Sequence, residues 1–524
     1  MARPDGQILF SDAQWEIIKD RINGVVSTPN YMNDESYLVD QANQFMVDPT
    51  VNRYDYMDGN TPFSVVSGAG FSPAPFNSVN SNNVAFDDIH CAAIVAAATN
   101  NQSMATAVLN EILKQANDDK LDFGNGSSKT NATYGITQRW ITTNGSQLGD
   151  PSFLIVEKMI KHLDAYTILR EEGLISLTTG EENRLNDWFY DASEYFRELL
   201  NRSMLAAWGS GWRNKVFTFG LNNVFNDTSS FANPSFADVN GNPNNNYVAS
   251  EGMRYGLVNT RMGYAHYTGL YGLLYNDQTN LDYLEDWYDM VLEMTVWSDG
   301  WHVENDRSRD SNIDQGVATY VWANIQPMVL MAVSHKIAKI NGLPSSTNYT
   351  GNEFFNHTTD KGWDSYTANA TNTMVSGVSP TSGGQKNLKL MIDANLKTIQ
   401  QNYGSNYGWN PKRYARAAPH NLLGGTDTTK RQYIHVLAVA NMYYNNPVYT
   451  SMIKQESTYE LHTGVLKSGQ GLGLLGAWRS NNGTWGGLLA QDQLYSDMDG
   501  ILLGVSTDNT QNKIRTAQAL FINN

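Results

Sequence analysis

The chain has 524 residues, with 36 Lys and Arg against 52 Asp and Glu, giving a formal net charge of −16. That balance excludes the basic footprint a nucleic-acid binder needs for phosphate. A hydrophobic content of 41% with 11% aromatics excludes a disordered chain, and no apolar stretch approaches the roughly eighteen residues of a transmembrane helix.

The predicted elements are helices that come in pairs. Ser11-Asp12 caps a first helix carrying Trp15, Ile18 and Ile22, which stops near Gly24. Residues 86–99 and 103–116 read as a helical pair broken at Asn100-Asn101. The first of the pair holds Cys91 in the run Ile89-His90-Cys91-Ala92-Ala93-Ile94-Val95. As a lone cysteine it permits neither an intrachain disulfide nor a thiolate metal site, and it reads as a small buried hydrophobe. Pro151 stands where a first helical turn begins, ahead of apolar residues at helical spacing from Phe153 to Leu169. A long helix then opens at Thr179-Gly180-Glu181-Glu182 and runs to about Trp208. Further helices are predicted at 254–275, 280–297, 312–341, 386–402 and 428–444. Strand alternation is scarce outside a Gly-rich stretch at 462–504, which has room for short strands. The expected fold is all-α, a single (α/α) toroid over residues 1–524 built from antiparallel helix pairs.

The loops between the helices are long and rich in Asn, Gly and Ser. Loops of that length are uncommon in compact domains unless they carry function. They hold Tyr134, Gln138, Arg139, Trp140, Trp212, Arg213, Arg413, Tyr414, Arg416 and His420, side chains suited to sugar faces and carboxylates. Low charge with abundant Asn, Tyr and Trp is the composition of many secreted carbohydrate-active proteins. The expectation is therefore a secreted or periplasmic monomer, its signal removed, that touches no membrane.

Two segments carry the chemistry. Asn259 through Tyr275 places Tyr264, Tyr267, Tyr271 and Tyr275 in one helical stripe, with His266 among glycines that leave room around the imidazole. The second runs from Trp297-Ser298-Asp299-Gly300 through Glu304, Arg307, Arg309 and Asp310 into a helix with Ala318-Thr319-Tyr320, Asn324 and Pro327-Met328-Val329-Leu330-Met331-Ala332. Gly316, Tyr320 and Asn324 share a helical face.

In this order of His helix, charged loop and Tyr helix, residues 255–335 resemble the alginate lyase superfamily of (α/α)-toroid polysaccharide lyases. The interval from His266 to Tyr320 is close to that family's His-to-Tyr interval. The chain departs from the family at Ala265, where an Asn usually precedes the His, and at Asn312-Ile313-Asp314, where an Arg usually stands. The resemblance implies β-elimination on a uronic-acid polymer such as alginate or glucuronan, with no metal and no cofactor. Such an enzyme removes the C5 proton and expels the C4 oxygen. The developing enolate-like anion needs neutral or cationic donors, and a base and an acid each contribute about 10²–10⁴-fold. On this reading Tyr320 is the acid, and also the base if a cation lowers its pKa from about 10. His266 is the base or the carboxylate partner, and Arg309 or Arg307 supplies the cation. Asn259, Asn324 and Gln138 are candidate carboxylate neutralisers, and Tyr267 joins the loop residues as a sugar contact.

Two other classes share these features. A toroidal glycoside hydrolase would draw its acid and base from Asp299, Glu304 and Asp310, about 6.5–9.5 Å apart in an inverting enzyme. A non-catalytic sugar-binding protein would need only the aromatic loops. The net charge opposes a polyanion only weakly at physiological salt, where the screening length is about 8 Å, and the lyase reading expects Arg139, Arg307, Arg309 and the 412–416 cations to gather on one cleft.

Overall fold

The computed structural model describes residues 8–24, 87–117, 152–208, 260–296, 322–343, 354–359 and 386–400. It also describes isolated positions between 39 and 49, between 437 and 449, and at 6, 123, 300 and 302. Of the described residues 79% are helical, and extended pairing is confined to two isolated antiparallel bridges, Val296 with His302 and Thr359 with Lys386. The all-α expectation holds. The predicted stretches at 462–504 and most of 428–444 lie outside the described residues.

The helices are α1 Asp12–Ile22, α2 Asp87–Thr99, α3 Gln102–Ala116, α4 Ser152–Glu171, α5 Thr179–Trp208, α6 Thr260–Tyr275, α7 Gln278–Thr295, α8 Trp322–Ile340 and α9 Leu388–Gln400. Their ends follow local chemistry. Between α2 and α3, Asn100 adopts φ +53 and Asn101 caps the next helix, its side chain accepting from the Met104 amide at 3.1 Å. The link between α6 and α7 repeats this device: Asn276 has φ +52 and Asp277 accepts from the Asn280 amide at 3.1 Å. Asn tolerates the left-handed conformation that reverses the chain, and an Asx side chain satisfies an orphan amide of the new helix. At the start of α5, Thr178 and Glu181 form a reciprocal capping box. Gly173, at φ +69, ends α4 by letting the Leu174 amide reach back to the Leu169 carbonyl at 2.9 Å.

These short links produce helical hairpins, and the hairpins stack. Helices α2, α4, α6 and α8 contact one another in that order as one row. Each packs on its own successor, α3, α5, α7 and α9, and α3 also packs on α5. α1 rests on α2, tied there by the Asn23 side chain, which donates to the Ala98 carbonyl at 2.8 Å. α6 is the hub, touching α4, α5, α7 and α8. Every residue from Met262 to Tyr275 is consequently buried.

Close approach at the hub depends on glycine. A Cβ at Gly272 would sit 2.9 Å from the Leu281 backbone nitrogen, and one at Gly269 would sit 2.4 Å from a Leu284 methyl. Backbone cannot step aside as a side chain tip can. Gly272→Ala should therefore lower stability by about 2 kcal/mol despite alanine's better helix propensity. Gly180→Ala, where the new methyl meets nothing within 4 Å, should be neutral or stabilising by up to about 1 kcal/mol. Urea-unfolding midpoints of the two variants check the contrast.

Candidate functional site

The tyrosine stripe of α6 faces the α5 interface. Tyr264 stacks on Phe196 at 5.5 Å, the Tyr267 hydroxyl donates to the Phe189 carbonyl at 3.1 Å, and the Tyr275 hydroxyl donates to Asn186 Oδ1 at 3.0 Å. Burial pushes the phenols of Tyr267, Tyr271 and Tyr275 well above their ordinary value, so they stay protonated. Tyr267, expected from the sequence to contact sugar, sits here as a packing residue with its hydroxyl directed at main chain.

His266 lies in the second turn of α6, only 2% exposed, and burial lowers its pKa to about 3. The imidazole is neutral throughout the physiological range. Gly263 and Gly269 flank it three positions away on either side, which thins the helix around the ring. Asn324 is fully buried in the first turn of α8, the helix that packs on α6. The fold thus brings the helices of His266 and Asn324 together. Tyr320, Arg307, Arg309, Asn259, Gln138, Arg139, Trp140, Tyr134, Trp212, Arg213, Arg413, Tyr414, Arg416 and His420 lie outside the described residues, as do Asp299, Glu304 and Asp310.

In sequence, the segment 303–321 with Arg307, Arg309 and Tyr320 follows directly on His302. His302 is fully buried and pairs with Val296 beyond the end of α7. Gly300, at φ +85, lies against α9 so tightly that a Cβ would approach the Leu390 carbonyl to 2.3 Å. Burial alone brings His302, like His266, to a pKa of about 3. A second neutral histidine beside the charged loop went unassigned in the sequence, where Trp301-His302 reads as loop.

Sequence reading also passed over a buried cluster between α2 and α4. His90 Nε2 stands 3.7 Å from Asp164 Oδ2, and Lys161 and His162 are fully buried nearby. Burial first, and then the Lys161 and His162 charges, hold His90 well below the ordinary imidazole range. The available signal was Lys161-His162 and Asp164 inside an otherwise apolar helix.

No group of three or more His, Cys, Asp or Glu able to hold a metal ion occurs among the described residues. Nor is any described helix long and apolar enough to cross a membrane. Comparison with protein-family models, with curated proteins and with solved structures finds no match.

The depressed histidines set a pH response. Their folded pKa lies below the unfolded value of about 6.5, so the unfolded chain binds more protons as pH falls. The stability they leave intact above about pH 6.5 declines on acidification towards about pH 3. Each contributes at most about 2 kcal/mol of loss between about pH 6.5 and about pH 5. Denaturant titrations at those two pH values should show His302→Gln losing less on acidification than the parent chain.

Proposed function

We propose that the helical array closes into an (α/α) toroid and that the chain is a polysaccharide lyase acting on a uronic-acid polymer such as alginate or glucuronan. The observation that carries this reading is the neutral, water-excluded His266 at the hub of the array. Its glycine-rich helix packs on α8, whose first turn holds Asn324, four residues after Tyr320 in sequence. The resemblance of 255–335 to the alginate lyase superfamily supports the same assignment.

The electrostatics sharpen the division of labour. An imidazole with a pKa of about 3 is a weak base at neutral pH, because a good general base is matched to the working pH. It remains a good neutral hydrogen-bond partner. His266 and Asn324 therefore hold and neutralise the uronate carboxylate, which makes the C5 proton more acidic. Tyr320 takes that proton and returns one to the C4 oxygen, its phenol acidified by Arg307 or Arg309. Asn259 and Gln138 assist at the carboxylate. Gln138-Arg139-Trp140, Tyr134, Trp212-Arg213 and the Arg413, Tyr414, Arg416 and His420 group bind the flanking sugars. The chain acts as a secreted or periplasmic monomer.

Incubation with alginate, glucuronan and hyaluronan should generate the ultraviolet absorbance of a C4=C5 double bond on one of them. New reducing ends without absorbance would mean hydrolysis by Asp299, Glu304 or Asp310. Neither signal would leave glycan binding alone. Tyr320→Phe should lower elimination by at least about 10²-fold with an unchanged unfolding midpoint. His266→Gln, which keeps a neutral donor, should retain more activity than His266→Leu. Equal activity in those two variants would remove His266 from the site.

A further inference from the structure

The four helices of the row end on one side. Gln102, at the start of α3, donates through Nε2 to the Leu174 carbonyl at 2.5 Å, which sets the end of α2 beside the end of α4. Tyr275, the last residue of α6, feels the charge of Arg170 in the last turn of α4, so those two helices also finish together. On α7, Glu285 Oε1 stands 3.8 Å from Nε2 of His335, which sets the last turns of α8 against the early turns of the helix that follows α6. The ends of α2, α4 and α8 close alike. The amides of Asn101, Leu174 and Leu343 reach back to the carbonyls of Ala96, Leu169 and Ala338 at 2.9, 2.9 and 2.7 Å.

The N-terminal segment crosses these ends in turn. Gly6 lies against Leu343, where a Cβ would stand 3.8 Å from Leu343 Cδ2, and the Phe10 carbonyl accepts from Asn341 Nδ2 at 3.2 Å, just past α8. Trp15 Nε1 donates to Glu172 Oε1, just past α4. Asn23 Nδ2 donates to the Lys19 carbonyl at 2.9 Å and to the Ala98 carbonyl at 2.8 Å, joining the end of α1 to the last turn of α2. Residues 10, 15 and 23 thus meet α8, α4 and α2, the reverse of the order of those helices in the chain. The 11 residues of α1 span about 16 Å, which reaches across neighbouring helices whose axes lie about 8–10 Å apart.

We propose that residues 8–23 are a brace joining the C-terminal ends of α2, α4 and α8, so that the three ends open and close as one cooperative unit. In the row α6 stands between α4 and α8, so the brace links helices that are not neighbours there. Its own apolar face holds it in place, with Ile8, Leu9, Phe10, Trp15 and Ile18 all buried. Phe10 and Trp15 stack at 5.6 Å, and that stack joins the residue at the end of α8 to the residue at the end of α4. A buried indole needs a partner for its N–H, and only the end of α4 at Glu172 supplies that acceptor within the ring's reach. Helix ends are the places where a helix first opens, and a segment pinned to three of them transmits the opening of one to the others. His266 and Asn324 belong to the early turns of α6 and α8, away from these ends, so the brace is independent of the lyase reading.

Amide hydrogen exchange on the full chain tests the brace. Trp15→Phe keeps an aromatic ring and removes only the indole donor to Glu172. In that variant, protection of amides 96–101, 169–174 and 338–343 should fall together, each by at least about threefold, while amides 264–272 in the middle of α6 change by less. Asn341→Ala acts from the other side: it alters the end of α8 and should lower protection of 96–101 by a similar factor. If Trp15→Phe does not fold, Asn341→Ala carries the test alone. A loss in Trp15→Phe that leaves 338–343 within about threefold of the parent chain overturns the proposal, as does an equal loss in α6. In Asn341→Ala, a loss confined to the end of α8 overturns it as well.

Discussion

A helix packed on four sides has no face left for water, and that constraint on α6 governs the rest of the molecule. Of its neighbours α4, α5, α7 and α8, α4 approaches closely at Gly263, which faces Val156, and α7 at Gly269 and Gly272, which face Leu284 and Leu281. Every polar atom on α6 must then find a partner inside the protein. The Tyr267 and Tyr275 hydroxyls do so by reaching the Phe189 carbonyl and Asn186 on α5. Imidazole answers the same demand by giving up its charge.

The buried histidines differ in what faces them, and a facing carboxylate does not by itself keep the ring charged: His90 stands 3.7 Å from Asp164 and is held well below the ordinary imidazole range. Around His266 and His302 burial alone acts, and both are neutral, held near a pKa of 3. His335 and His357 instead face carboxylates of α7. Low dielectric penalises a lone charge, which is why the rings of His266 and His302 stay neutral. The hub is thereby kept neutral, whereas the α7 face sets carboxylates against imidazoles.

Helix positions were legible because their signals are local. Asn100-Asn101 marks a link from sequence alone, since its chemistry needs only the adjacent turn, and the capping of α5 at Thr178 and Glu181 is equally short in range. The role of individual side chains was less legible. Tyr267 reads as a sugar contact and packs in the α5 interface, because a stripe of tyrosines has the same spacing whether a ligand or a helix covers it. The spacing of Glu285, Asp289 and Glu293 by itself only sets them on one helical face. Only residues far ahead in the chain, at 335, 357, 359 and 386, turn it into a row of contacts. Of the candidate site, the sequence reads His266 and Asn324 on separate helices, and only the tertiary structure sets those helices against each other.

By itself, the sequence determined the all-α class, the hairpin links and the burial of Cys91, because propensity, capping and hydrophobic period act within a few residues. Tertiary structure decided which helix is enclosed, which histidines are neutral and which carboxylates meet a histidine. Those properties depend on desolvation and on partners tens of residues away, and neither quantity is written in any local window of the chain.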